Sequence, residues 1–201
     1  KTGAGGRYEL FDRPGAQRFL AEEYDEAHLR AFQLANNVAE ECDFFRLCYL
    51  YKRGGIYADA DDRLMGRTGA LLSEGPGLIV FREQMGCLAN NVICSPAGHP
   101  ALRIAIDLAR PALLNCESDN TWIKTGPGLL TRAVATYLQR TPVPEARANL
   151  SVRSSMTMRH HVGPHVKFAY KFTAGYWDKK TSEAPRSLTN ALETFLRQTD
   201  A

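Results

Sequence analysis

Apolar and polar positions alternate along this chain in short runs of two kinds. Four or five residues with strand spacing, at Tyr8–Phe11, Ile56–Ala60, Leu78–Phe81 and Asn91–Ser95, read as β-strands. Between them lie helical spacings: Gln17–Tyr24 and His28–Asn36, then a longer run from about Asn37 to Lys52. Gly54-Gly55 stops that third helix, as glycine commonly does just past a helix end. Pro100–Ala109 starts with proline in its first turn, and Gly128–Leu138 is a further helix. Val143–Val152 reads as a mostly irregular link. Ser187–Gln198 closes the chain with Leu188, Leu192, Phe195 and Leu196 on one stripe. Short strands alternating with helices predict an α/β protein.

Composition narrows this picture without changing it. The 201 residues suit one domain, with a core of roughly residues 8–138 and a C-terminal region over 139–201. Apolar content of 44% and charged content of 23% are ordinary for a globular protein. A net charge of +3 gives no global attraction to nucleic acid. From Met158 to Lys180 five lysines and arginines face one acid, Asp178, and the run reads as a solvated basic loop. Five cysteines without CxxC spacing suggest neither a disulfide framework nor a zinc site, and Cys42 and Cys48 read as small core residues. This favours a reducing, cytoplasmic location. No apolar run approaches the roughly 20 residues that span a bilayer, which leaves peripheral membrane contact open.

The chemistry concentrates between Asp43 and Asp62. If the strand continues through the acids, Asp59 and Asp61 point one way and Asp62 the other. Two carboxylates on one face repel each other, and a hard divalent cation such as Mn2+ or Mg2+ relieves that repulsion. The plain alternative is an exposed acidic turn. In the preceding helix Asp43 and Arg46 interrupt an otherwise apolar surface three residues apart. They either satisfy each other as an internal pair or face a polar ligand, and the pattern leaves both open.

The run CDFFRLCYLYKRGGIYADADD resembles the DXD sugar-binding region of glycosyltransferase family 32. That family includes yeast-type α-mannosyltransferases and bacterial capsule and lipopolysaccharide sugar transferases, with clostridial toxin glucosyltransferases as more distant relatives. Ala89-Asn90-Asn91-Val92-Ile93, Pro96-Ala97-Gly98-His99-Pro100 and Thr125-Gly126-Pro127-Gly128 follow in the same order, so the likeness runs from about Tyr8 to Leu138. It implies a GT-A-like fold with a mixed, mostly parallel sheet. It also implies a metal-dependent retaining transferase that moves a sugar from a UDP- or GDP-sugar to a hydroxyl of a glycan, lipid-linked sugar or protein. Asp61 would bind the metal, and Asp59 would contact ribose, donor sugar and the metal through water. Asp43, Arg46, Tyr57 and Asn90 would hold the donor, and Thr125 and Gly126 would border its pocket. Arg46 would join the two acids in catalysis.

Two departures from the family pattern stand out. No Ile-Pro-Lys-Ile-Ile-His-type strand precedes Tyr8, so the expectation is an upstream extension, or another segment on that sheet edge, with Tyr8–Phe11 as a strand beside the DXD strand. The histidine expected before Gly175-Tyr176-Trp177 is replaced around Lys171. Lys171 and Trp177 are then donor contacts, and His165 a candidate metal ligand. The competing readings are a degenerate nucleotide-sugar-binding module and a haloacid-dehalogenase-type phosphotransferase, which also carries Asp-x-Asp after a strand. A calcium loop fits less well, because Arg63 breaks the acidic alternation.

Overall fold

The structure, a computed structural model, describes residues 7–66, 69–117, 120–164, 166 and 168. His165, Lys171, Trp177 and the closing stripe at Ser187–Gln198 lie outside the described residues. In chain order the elements begin with helices α1 (Arg13–Glu23), α2 (Glu26–Gln33) and α3 (Val38–Arg53), then β1 (Gly55–Ala58) and β2 (Arg63–Leu64). Helix α4 (Gly69–Leu72), strands β3 (Leu78–Arg82) and β4 (Leu88–Ser95), and helices α5 (Pro100–Leu114), α6 (Thr121–Lys124), α7 (Pro127–Arg140) and α8 (Val143–Asn149) follow. The described part ends with β5 (Leu150–Ser154), α9 (Ser155–His161) and β6 (Val162–Gly163).

The α/β class holds. The central sheet has the order β1-β4-β3-β5 and is partly rather than mostly parallel. β4 runs antiparallel to both β1 and β3, and β3 pairs in parallel with β5. Because β4 alone is reversed, β1, β3 and β5 all end at one edge of the sheet. Odd and even positions of β3 separate two cores, as strand alternation requires. Leu78 and Val80 join the larger cluster with Phe44, Leu50, Leu102, Ile106 and Leu129 of the helices on one face. Ile79 and Phe81 join Leu71, Met158 and Val162 under α4 and α9 on the other.

Five expectations need correction. Tyr8–Phe11 is not a strand. Phe11 instead packs its ring 5.0 Å from Phe45 and 5.1 Å from Tyr49, while Tyr8 and Leu10 are exposed, so aromatic contact with α3 replaces backbone pairing. The expected helix end at Ala109 is overrun by α5, which passes through Pro111 because Leu113 is wholly buried and offsets the hydrogen bond lost there. Residues 143–152 hold α8 and most of β5 rather than an irregular link, since β5 is made by pairing with β3, which side-chain pattern does not announce. The basic run begins inside α9, and Cys42 is exposed whereas Cys48 is buried.

Gly54 joins α3 to β1. Its N–H caps the helix on the Leu50 carbonyl, and its φ of +68° lies in the left-handed region. A Cβ there would meet the Ala97 nitrogen at 2.7 Å and the Ser95 carbonyl oxygen at 2.9 Å. Gly54→Ala should therefore lower stability by about 2 kcal/mol or more, combining backbone strain with a backbone clash. Chemical denaturation of the purified variant measures it; an unchanged midpoint would mean that this junction does not fix the start of β1.

Candidate active site

Helix α3 runs into β1, and its capping puts Asn37 at the N-terminus and Gly54 at the far end. Between them Glu40, Asp43 and Arg46 form a polar line, three residues apart, along an otherwise apolar buried helix. Each residue of this line reaches a different element.

Arg46 is the centre. Its Nη2 lies 2.9 Å from Asp43 Oδ1 and 3.1 Å from Asp59 Oδ1. It also donates through Nε to the Cys42 carbonyl and through Nη1 to the Asn90 carbonyl, and the guanidinium carbon stands 4.3 Å from the Tyr57 ring centroid. Asp43 accepts in addition from Asn90 Nδ2 at 2.8 Å and from Thr125 Oγ1 at 3.0 Å. Tyr57 donates its hydroxyl to Asp59 Oδ1 at 2.9 Å. Six of the residues picked from sequence thus form one hydrogen-bonded unit, drawn from α3, β1, β4 and the end of α6. Gly126 adjoins it as the N-cap of α7.

Burial sets the protonation behaviour. It pushes the Asp43 carboxyl up to about 6, against the pull of Arg46 and Thr125. Burial also drives the Tyr57 phenol well above its ordinary range, so that hydroxyl stays a donor. The same burial disfavours the Arg46 charge, but Tyr57, Asp59 and Asp43 together more than offset it.

The choice left open for Asp43 and Arg46 now has a structural answer on one side: they are an internal pair, and Asp59 is part of it. The DXD acids themselves sit beyond the strand. β1 ends at Ala58, and the Asp62 N–H bonds back to the Asp59 carbonyl at 2.9 Å, closing a turn. Strand alternation therefore does not orient Asp61, and the turn does so instead. Asp61 and Asp62 are half-buried, and the Asp62 carboxylate accepts from Asn91 Nδ2 at 2.6 Å.

Two features escaped the sequence reading. The pairing of β3 with β4 shifts register between Ile79 and Phe81, placing extra β4 residues around Asn90-Asn91. Both asparagines are thereby used: Asn90 reaches Asp43, and Asn91 reaches Asp62. Two adjacent asparagines inside a strand were the available signal. The second feature is a buried ion pair, Lys124 Nζ to Glu40 Oε2 at 2.8 Å, with both side chains about 1% exposed. Thr121 bonds the other Glu40 oxygen, so α6 is moored to α3 directly before Thr125. Lys124 carried no sequence signal.

Arg46→Lys keeps the charge and loses the planar fork that serves two carboxylates and two carbonyls. One buried carboxylate then loses its partner, and stability should fall by about 3 kcal/mol. Thr125→Val, which removes a single neutral donor from Asp43, should cost about 1 kcal/mol. Equal losses in denaturant titrations would contradict the central position given to Arg46.

Residues 8–75 match the family model described as the glycosyltransferase sugar-binding region containing a DXD motif. No curated protein matches the chain. Among solved structures the fold is similar to that of the PaToxG glycosyltransferase, with a TM-score of 0.52 and 24% identity. That likeness covers 60% of this chain and 45% of the PaToxG chain, so the match spans less than half of the neighbour's length. Residues 8–75 are thus similar to the DXD-motif sugar-binding region of the glycosyltransferases, and the fold is similar to that of a solved glycosyltransferase.

Proposed function

We propose that this single domain is a metal-dependent, retaining glycosyltransferase that moves a sugar from a UDP- or GDP-sugar to a hydroxyl acceptor. The observation that carries the reading is the junction of the Asp43–Arg46–Asp59–Tyr57–Asn90–Thr125 unit with the DXD turn at the end of β1. Ligands of open α/β sheets bind beyond the carboxyl ends of strands, and this turn lies at such an end.

Asp59 has one oxygen engaged by Arg46 and Tyr57, and on this reading its carboxylate contacts ribose and donor sugar. Asn90 and Asp43 flank the sugar, and Thr125 and Gly126 border the pocket from the α6–α7 side. Among the described residues no three His, Cys, Asp or Glu side chains gather as a closed metal site. That suits Mn2+ or Mg2+ arriving with the donor, because such ions are held by one or two carboxylates together with substrate phosphates. Asp61 would be the direct ligand and Asp59 the second; His165 lies outside the described residues. When bound, the cation neutralises the diphosphate as it leaves. In the transfer, the bond from the sugar's anomeric carbon to the diphosphate breaks with its electron pair on phosphate. A new bond forms to the acceptor oxygen, whose proton passes to the departing phosphate. Lys171 and Trp177 are further donor contacts on this reading.

Asp61→Asn retains shape and removes one charge. Donor turnover, followed as nucleoside diphosphate released in the presence of manganese, should fall about 100-fold or more, with an unchanged melting temperature. Near-wild-type turnover in a folded variant would overturn the assignment. Donor that binds the wild type and is released unchanged under all metals would instead identify a binding module.

A further inference from the structure

A cavity of about 390 Å³ opens at the ends of β3 and β5, on the sheet edge that also carries the DXD turn. Its position follows from the pairing register. Ile56, Cys94, Ile79 and Ser151 form one cross-strand row. Three residues further along the three co-directional strands stand Asp59, Arg82 and Ser154. By strand alternation all three belong to the sheet face covered by α3. Arg82 therefore stands on the same sheet edge as Asp59, two strands away.

The lining has the mixed character of a carbohydrate site. Arg82 is exposed, and its side chain makes no ion pair or hydrogen bond among the described residues. Arg153, the other cation of the rim, is already held by the carbonyl and carboxylate of Glu74. Ser155 is 7% exposed, and its hydroxyl has no partner among the described residues although it lines the cavity. Unpaired and open to the cavity, that hydroxyl is available to a ligand. Glu83 and Gln84 add an acceptor and an amide, and Val152 and Met156 supply apolar surface. Sugars need all three: donors and acceptors for hydroxyls, and an apolar patch for the C–H face.

We propose that this cavity is the acceptor subsite and that it takes a carbohydrate bearing an acidic group, carboxylate or phosphate. Arg82 binds the anion, Ser155, Glu83 and Gln84 bind hydroxyls, and Met156 meets the ring. The word "acceptor" rests on reading the DXD edge as the donor site; the binding of an acidic sugar does not.

The test uses the whole chain with D-glucuronate, D-glucose 6-phosphate and neutral D-glucose, titrated by ligand-observed NMR. At least one acidic sugar should bind ten-fold or more tightly than glucose, and comparison of the two acids separates carboxylate from phosphate recognition. Arg82→Gln should erase the preference, Arg82→Lys should retain part of it, and Ser155→Ala should weaken binding several-fold. Donor turnover into water, measured on the same variants, should stay at the wild-type level, while KM for transfer to the acidic sugar rises about ten-fold in Arg82→Gln. The proposal falls if glucose binds as well as the acids, if acetate or inorganic phosphate alone binds equally well, or if an acidic peptide binds better than both sugars. It also falls if Arg82→Gln changes nothing. A wild type that binds the acidic sugar through Arg82 and never consumes a nucleotide sugar would overturn the donor reading and leave the subsite standing.

Discussion

One buried guanidinium organises this molecule. Arg46 is 5% exposed and stands between Asp43 and Asp59, which arrive from the same helix and from the end of the next strand. Removing three charges from water is expensive, and their attraction repays the cost only with good geometry and further hydrogen bonds. Here those bonds come from Asn90, Thr125 and Tyr57, so four separate pieces of chain must be in place for the charges to be satisfied. A hydrophobic cluster of the same volume would stabilise the fold as well or better. What apolar packing would not supply is a fixed direction for each polar group at the sheet's edge.

Two neighbours on α3 extend the same logic. Glu40 lies one turn before Asp43 and draws Lys124, Thr121 and the Asn36 N–H to itself. This second pair holds α6, and α6 ends at Thr125, the donor to Asp43. The α6–α7 loop is thus tied to α3 at two successive turns. At the other end of α3, Gly54 turns the chain so that β1 begins directly against Ser95 of β4. The helix therefore sets the height of β1 in the sheet, and so the position of the DXD turn relative to Asn90 and Asn91.

How much of this was legible in the sequence differs from element to element, and for physical reasons. Helix α3 was readable because its apolar surface, its two interrupting charges and its terminal glycine pair are all local signals. The sharing of Asp59 by Arg46 was not readable, since it depends on where β1 lies against α3. The DXD acids invited a strand reading because period-two spacing looks alike in a strand and in a tight turn. Only the Asp62–Asp59 hydrogen bond distinguishes them. β5 was missed because Leu150–Ser154 has a partner 72 residues earlier, and half of its side chains face water. Tyr8–Phe11 failed in the opposite way: its spacing suited a strand, but Phe11 found three aromatic rings before any backbone partner.

Electrostatics gives the edge of the sheet its chemical direction. Asp43, Asp59, Asp61 and Asp62 bring four carboxylates to the neighbourhood of β1's end, and Arg46 is paired with the first two. Burial raises the Asp43 carboxyl to about 6 against the pull of Arg46, a sign that this part of the sheet edge is poorly hydrated. A diphosphate entering beside it brings more of the same sign, which a low-dielectric edge amplifies. The rigid Asp43–Arg46–Asp59 unit does not relax to meet it, because its hydrogen bonds bind it to three other elements. On the proposed reading, the incoming diphosphate would carry its own positive charge. An acidic acceptor would meet the same repulsion there, and two strands away the edge presents Arg82. The separation of the two chemistries along the edge is thus a consequence of charge as much as of topology.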